Sequence, residues 1–525
     1  MNNLPLIDIA VILLYMAAML WIGFYFSKKN KNAQQFTTAM GKIPGWAIGV
    51  SIFATFLSSN TFLGVTGKAF GSNWNAFVFS LSMPLAAWVG VRYFVPFYRR
   101  GGEVSAYTHL EKRFGAWART YAVACFLLTQ VARMGSIFFG IALSLQALTG
   151  FPMSSIMLVM GSCIIIYTVM GGMEAIIWTD VVQGIVLTLG ALLILFYVLG
   201  DMPGGMAAAT EIGSASDKFS LGSFSFDLNG STFWVILLYG FFINLSNFGM
   251  DQNYIQRYHT AENEKKAAKS VWLSVYLYVP ISMLFFIMGA ALFAFYSVHP
   301  EMSDAVKMQA AVEQLGPHAT AKQLAGTVAA MQPSDYGDKV LPHFMVSKMP
   351  AGLVGLVIAA ILSAAMSTIS SCMNASATVF TIDIYTKYFK KNLNDKQLLL
   401  NLHVGTVVFG LIGLIAGLAM IGSKSILDVW WELSGIFAGG MLGLFLLGLI
   451  SRRTKNAEAA TATIIGIIVI LWMSFSDKIS GEYEFLKSPL HKNMIIVVGT
   501  LSIFLTGLLL THAKRKLKEV PGTAG

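Results

Sequence analysis

The chain has 525 residues, of which 56% are hydrophobic and 12% charged, and a formal net charge of +10 from 36 Lys and Arg against 26 Asp and Glu. Soluble domains hold roughly 45–50% apolar and 25% charged residues, so this composition excludes soluble enzymes and nucleic-acid binders and describes a polytopic membrane protein. The basic residues stand in short clusters between apolar runs, as topogenic signals do, rather than in a patch for an acidic partner.

Stretches of about 20 apolar residues, enough to cross a bilayer core of roughly 30 Å, recur thirteen times, at about 5–27, 45–70, 75–98, 121–149, 154–172, 176–200, 233–256, 268–296, 350–384, 399–422, 427–450, 458–476 and 493–512. The first is followed by Lys28, Lys29 and Lys31 rather than by a small-residue cleavage site, and reads as an uncleaved helix. An odd number of crossings puts the termini on opposite sides. With the N-terminus outside, 24 of the 36 Lys and Arg fall in inner loops, among them Arg99, Arg100, Arg257 and Lys265. Nine fall in outer loops and three (Lys68, Arg92, Arg133) within spans, so the positive-inside bias predicts an outer N-terminus and an inner C-terminus. Two outer loops, about 201–232 and 297–349, are rich in Gly, Ser and acidic residues; the second is long enough for a short helix, and both read as surface lids.

The second stretch, GWAIGVSIFATFLSSNTFLGVTGKAF, sets four polar residues, Ser58, Ser59, Asn60 and Thr61, near mid-span between Gly49, Gly64 and Gly67. This predicts a broken helix. Backbone freed at membrane depth is tolerated where it lines a cavity or is buried in protein, and discontinuous helices place carbonyls around Na⁺ and solute; the alternative is a polar seam between helices. In the fourth stretch Arg133 must face protein or water, as a contact for solute or as the partner of an intramembrane acid such as Glu432. Asp180, in IIWTDVVQG, is either an N-terminal cap of the sixth span or a carboxylate ligand for a cation. In the ninth stretch Ser367, Ser370, Ser371 and Asn374 share one helical face, with Thr368 beside them. Oxygen donors of this kind suit a hard cation, and equally a close-packed seam of small residues.

Cys125, Cys163 and Cys372 lie in apolar stretches without CxxC spacing and read as packing residues. No HExxH, GxSxG or GxxxxGK[ST] occurs, which argues against an ATP-driven pump or an intramembrane hydrolase, and the eight histidines lie in loops or at span ends, against a histidine proton relay.

Taken together, GVSIFATFLSSNTFLG, YTVMGGMEAIIWTDVVQG, DQNYIQRY and SAAMSTISSCMNASATVFTIDIYTKY resemble the sodium:solute symporter family, and within it the bacterial sodium-coupled sialic acid branch; the likeness runs from about residue 5 to 512. The resemblance implies an all-α polytopic membrane protein with a LeuT-like five-plus-five inverted repeat. Its parts would be an extra helix at 1–27, repeats at 45–258 and 268–451, the latter with the outer loop 297–349, two C-terminal spans at 458–512 and a cytoplasmic tail at 513–525. It implies one sodium site made of Ala54, Leu57, Ala364, Ser367 and Thr368, and a second made of Asp180, Ser367, Ser370 and Ser371. For solute it implies Ser58, Asn60, Thr61, Ser80, Arg133, Asn244 and Asn247, with Arg133 facing a carboxylate. Phe56 stands where that branch has a hydroxyl, Ser80 where it has a long amide, and Asn247 where the galactose relatives have an aromatic, so the glycan side of the pocket differs.

The expected activity is Na⁺-coupled import of a small polyhydroxylated solute, an acidic sugar such as sialic acid or else a neutral hexose or polyol, across a bacterial inner membrane. One or two Na⁺ would move per cycle, with no organic cofactor, no nucleic acid and no obligatory protein partner. An ion channel is disfavoured for want of a re-entrant filter sequence, and a membrane-bound transferase for want of a nucleophile or acid/base pair at a span end.

Overall fold

The computed structural model describes residues 4–28, 32–316, 319–421, 426–476, 479 and 481–519. Its long helices are α1 Leu6–Ser27, α2 Gly45–Phe56, α3 Thr61–Gly71, α4 Trp74–Gly101, α5 Ala116–Thr149, α6 Met153–Gly200 and α7 Phe233–Met250. The short, polar α8 Gln252–Thr260 follows, then α9 Glu264–Val298, α10 Leu353–Phe389, α11 Asp395–Ala419, α12 Ile426–Ile450, α13 Asn456–Phe475 and α14 Met494–Glu519. Among the described residues there is no β-strand, only a bridge between Ile43 and Ala261.

Eleven of these helices are long and apolar enough to cross a membrane, and the bent pair α2 and α3 makes a twelfth unit. At 48 residues α6 is about 72 Å long, more than twice a bilayer core. It turns at Gly172, whose φ of 59° and ψ of −166° are open to glycine but not to residues with a side chain. Each part is long enough to cross alone.

The expected break in the second span is present. α2 stops at Phe56, Leu57 is extended (φ −95°, ψ 121°), and the chain resumes in α3 at an angle of 60°. Gly67 lets α3 press on the outer-loop helix Pro333–Lys348, because a Cβ there would lie 2.4 Å from Asp338 Oδ1. The helix α10 is the centre of the bundle: 89% of its apolar window is buried, against 28% for the peripheral α1. It packs on α6, α5, α11, α2 and α1. Leu14, Trp21, Phe196, Ile415, Ile464 and Leu509 point outward as a lipid-facing surface.

The outer loops hold more structure than expected. The first carries a helix, Gly205–Ala215, and the second carries three, Pro300–Leu315, Ala321–Ala330 and Pro333–Lys348. Proline at the first turn and the Thr320/Gln323 capping box start these helices. At the Lys/Arg-rich end, Arg119 of α5 pairs with Glu111 (2.7 Å) and with the buried Asp383 of α10, which also accepts from Ser105 (2.7 Å).

Candidate functional site

The break after Phe56 leaves carbonyls without helical partners beside the polar face of α10. Ser367 Oγ lies 3.1 Å from the carbonyl oxygens of Ala54 and Ala364, and Thr368 Oγ1 lies 3.3 Å from those of Thr55, Leu57 and Ala364. The structure therefore brings together all five residues expected around one sodium ion, and adds the Thr55 carbonyl. Two hydroxyls carry two protons, yet four carbonyl oxygens face them in a fully buried place. The Ala364 carbonyl belongs to the unbroken α10, but those of Ala54, Thr55 and Leu57 lie at the break, and such a set of hard acceptors fits a monovalent cation, which these residues would hold through oxygen alone.

One turn further along α10, Ser370 and Ser371 donate to the Ser367 carbonyl (3.2 and 2.8 Å). Asp180 lies opposite, fully buried and two turns inside the second part of α6, so it is not an N-terminal cap. Its Oδ2 accepts from Ser51 Oγ (2.6 Å) and from Arg257 Nη2 (2.8 Å), while Oδ1 has no protein partner. Arg257, expected in an inner loop, is instead fully buried: Nη2 also donates to Ser371 Oγ (2.7 Å), Nε to Ser51 Oγ (2.8 Å) and Nη1 to the Asn253 carbonyl (2.6 Å). Asn374, on the same face, takes its amide contact from Gln256 (3.4 Å). The positive-inside count treated Arg257 as a surface charge; the only warning in the sequence was its place in DQNYIQRY.

Beside these residues lies a central cavity of about 80 Å³, room for several waters. Ser58, Asn60, Thr61, Ser80, Arg133 and Asn247 all line it. Asn244 does not: its amide donates to Ser82 Oγ (3.2 Å) and it is buried between α7 and α4, contrary to expectation. Phe56 forms an aromatic wall, stacked on Tyr254 (centroids 4.5 Å apart) and beside Tyr278. On the outer side Trp431 stacks on Phe79 (5.5 Å), and Ala76 and Trp431 also line a separate outer cavity of about 530 Å³. Sequence reasoning missed Tyr254, Tyr278, Trp430 and Trp431. Within the central cavity's wall, Asn60 Oδ1 and Tyr254 OH are buried without protein partners, and such atoms suit a hydroxylated ligand.

Arg133 lines the central cavity and pairs with an acid, but that acid is not Glu432. Glu432 pairs with Lys492 (3.3 Å) at the outer cavity, whereas Arg133 Nη1 lies 3.3 Å from Asp251 Oδ2 and its guanidinium sits 5.0 Å over the Trp430 ring. The acid is thus at the end of α7, not on α12.

Comparison with known proteins gives a consistent result. The model of the sodium:solute symporter family matches residues 36–466. The chain is 31% identical over 496 residues to a sodium/sialic acid symporter of Aliivibrio fischeri, covering 93% of this chain and 91% of the relative. It is 32% identical over 514 residues to one of Proteus mirabilis, covering 97% and 95%. A solved structure of a Na⁺-coupled sialic acid symporter, substrate-bound, outward-open and with a novel Na⁺ site, superposes with a TM-score of 0.82 at 31% identity over 97% of both chains.

Proposed function

We propose, from the premise that this chain belongs to the sodium:solute symporter family, that the solute it carries with Na⁺ is an acidic sugar of the sialic acid class. Na⁺-coupled symport by alternating access, and not enzymatic catalysis, follows from the family, and the eleven or twelve apolar helices among the described residues make it a multi-pass membrane protein. The observation that carries the solute assignment is Arg133, a buried guanidinium in the wall of the central cavity. Its planar fork matches a carboxylate bidentately better than it matches a sugar hydroxyl. Asn60, Thr61, Ser58, Ser80 and Tyr254 would take the hydroxyls, and the Phe56/Tyr254 wall a pyranose face.

In this reading the Ala54, Leu57, Ala364, Ser367 and Thr368 oxygens hold the first Na⁺. Asp180, Ser367, Ser370 and Ser371 hold a second when the Arg257 guanidinium yields its place. We put the boundary between the two repeats in the loop before α7, so that α2 to α6 and α7 to α12 each contribute five crossings. A neutral hexose or polyol is the second reading, favoured by the Arg133–Asp251 pair, which already compensates the guanidinium.

Uptake into proteoliposomes separates the two readings. Labelled sialic acid should enter on an inward Na⁺ gradient and not when choline replaces Na⁺, and unlabelled sialic acid but not glucose should compete. Competition by glucose with none by sialic acid would establish the neutral-sugar reading. Counterflow of labelled against unlabelled solute is expected of a carrier and absent from a channel.

A further inference from the structure

Arg133 sits on the divide between two polar spaces. It lines the central cavity on one side. Through Asp251 it also meets a cleft of only about 10 Å³, lined by Thr129, Gln130, Ser246, Asp251 and Ser434 together with apolar side chains, and Asn247 and Ile243 line both spaces. The cleft lies toward the Lys/Arg-rich face: Thr129 and Gln130 precede Arg133 on α5, nearer its Arg119 end, and Asp251 follows the last residue of α7. Asp251 Oδ1 is held by the Asn253 backbone N–H (2.9 Å) and side-chain amide (2.7 Å) as the cap of α8, which leaves Oδ2 for Arg133. That contact, one N–H at 3.3 Å, is longer than the 2.7–2.9 Å usual between charged partners, so the guanidinium is shared loosely rather than locked. Gln130 is fully buried, its Oε1 accepting from Asn253 (2.9 Å), and its Nε2 is an N–H donor in the cleft wall without an acceptor.

An anion bound to Arg133 must be given up at the end of each cycle, and an arginine has no means of losing its charge. A second carboxylate within its reach supplies one. From these contacts we infer that Asp251 is the release residue of the cycle: it takes the Arg133 guanidinium over from the solute carboxylate and so frees the anion. The inference rests on the acidic-sugar reading and names the residue that reverses the binding step. Asp251 is a positioning residue, acting on solute through Arg133.

The test compares wild type, Asp251→Asn and Asp251→Glu by equilibrium binding of sialic acid and of its uncharged methyl ester in saturating Na⁺, and by maximal uptake rate in proteoliposomes. Asparagine still caps α8 but no longer competes for the guanidinium. The expected result for Asp251→Asn is about three- to tenfold tighter binding of the free acid, with no such tightening for the ester, and an uptake rate roughly tenfold lower. Asp251→Glu keeps the charge and is expected to hold wild-type affinity with measurable uptake. Unchanged affinity and unchanged uptake in folded Asp251→Asn, or equal tightening for acid and ester, would overturn the inference, as would a shift in Asp251→Glu equal to that of the Asn variant. Should wild type itself bind glucose and not sialic acid, the carboxylate reading has failed and the release step falls with it.

Discussion

Replacing either member of the Asp180–Arg257 pair should destabilise the protein, but only one replacement should be rescued by Na⁺. Both side chains are fully buried and meet at 2.8 Å. Removing one leaves a buried charge uncompensated, at a cost of about 3–5 kcal/mol. In Asp180→Asn the orphan is Arg257, which keeps three neutral acceptors, Ser51 Oγ, Ser371 Oγ and the Asn253 carbonyl, and has no use for a cation. In Arg257→Met the orphan is the Asp180 carboxylate, beside Ser51 and near Ser371, where Na⁺ replaces the missing charge. A ligand at a hundred times its dissociation constant contributes about 2.7 kcal/mol, so beyond the shift that the first site gives both variants, saturating Na⁺ should restore most of the loss in Arg257→Met and add nothing in Asp180→Asn. The assay is thermal unfolding in detergent, with choline chloride holding the ionic strength. Equal Na⁺ shifts for the two variants would refute the second sodium site.

Three other outcomes follow from the geometry. Deleting a hydroxyl from the first site, by Ser367→Ala or Thr368→Ala, should raise the Na⁺ concentration for half-maximal uptake about tenfold, the equivalent of one lost oxygen contact of about 1.4 kcal/mol, while melting temperature without Na⁺ stays near wild type. Asp8 of α1 accepts the backbone N–H groups of Gly352 (2.7 Å) and Gly355 (2.6 Å) at the start of α10, so Asp8→Ala should lower stability by about 1–2 kcal/mol in chemical unfolding. In the polar α8, burial and, secondarily, the nearby Arg99 push the His259 pKa down to about 4. The unfolded chain then binds more protons than the folded one between about pH 6.5 and 4, so stability should fall by as much as about 3 kcal/mol as pH drops through that window. His259→Gln should flatten the acid limb of a melting-temperature profile.

Composition and the length of apolar runs were enough to establish a multi-spanning helical protein, because a bilayer imposes one length and one polarity on every crossing. The run Ser58–Thr61 marked the broken helix for a similar reason: four polar residues at mid-span are tolerable only where the backbone turns toward protein or a cavity. The face Ser367, Ser370, Ser371 follows from helical periodicity alone. Periodicity says which residues share a face but not what that face meets. The partners that decide the chemistry are far apart in the chain, Asp180 from Arg257, Arg133 from Asp251, Phe56 from Tyr254, and only packing brings them together. Arg257 shows the limit most sharply. Counted as a loop charge because it follows the seventh apolar stretch, it is drawn into the bundle because Asp180, Ser51 and Ser371 offer a buried guanidinium its acceptors, a compensation that exists only in the assembled tertiary structure.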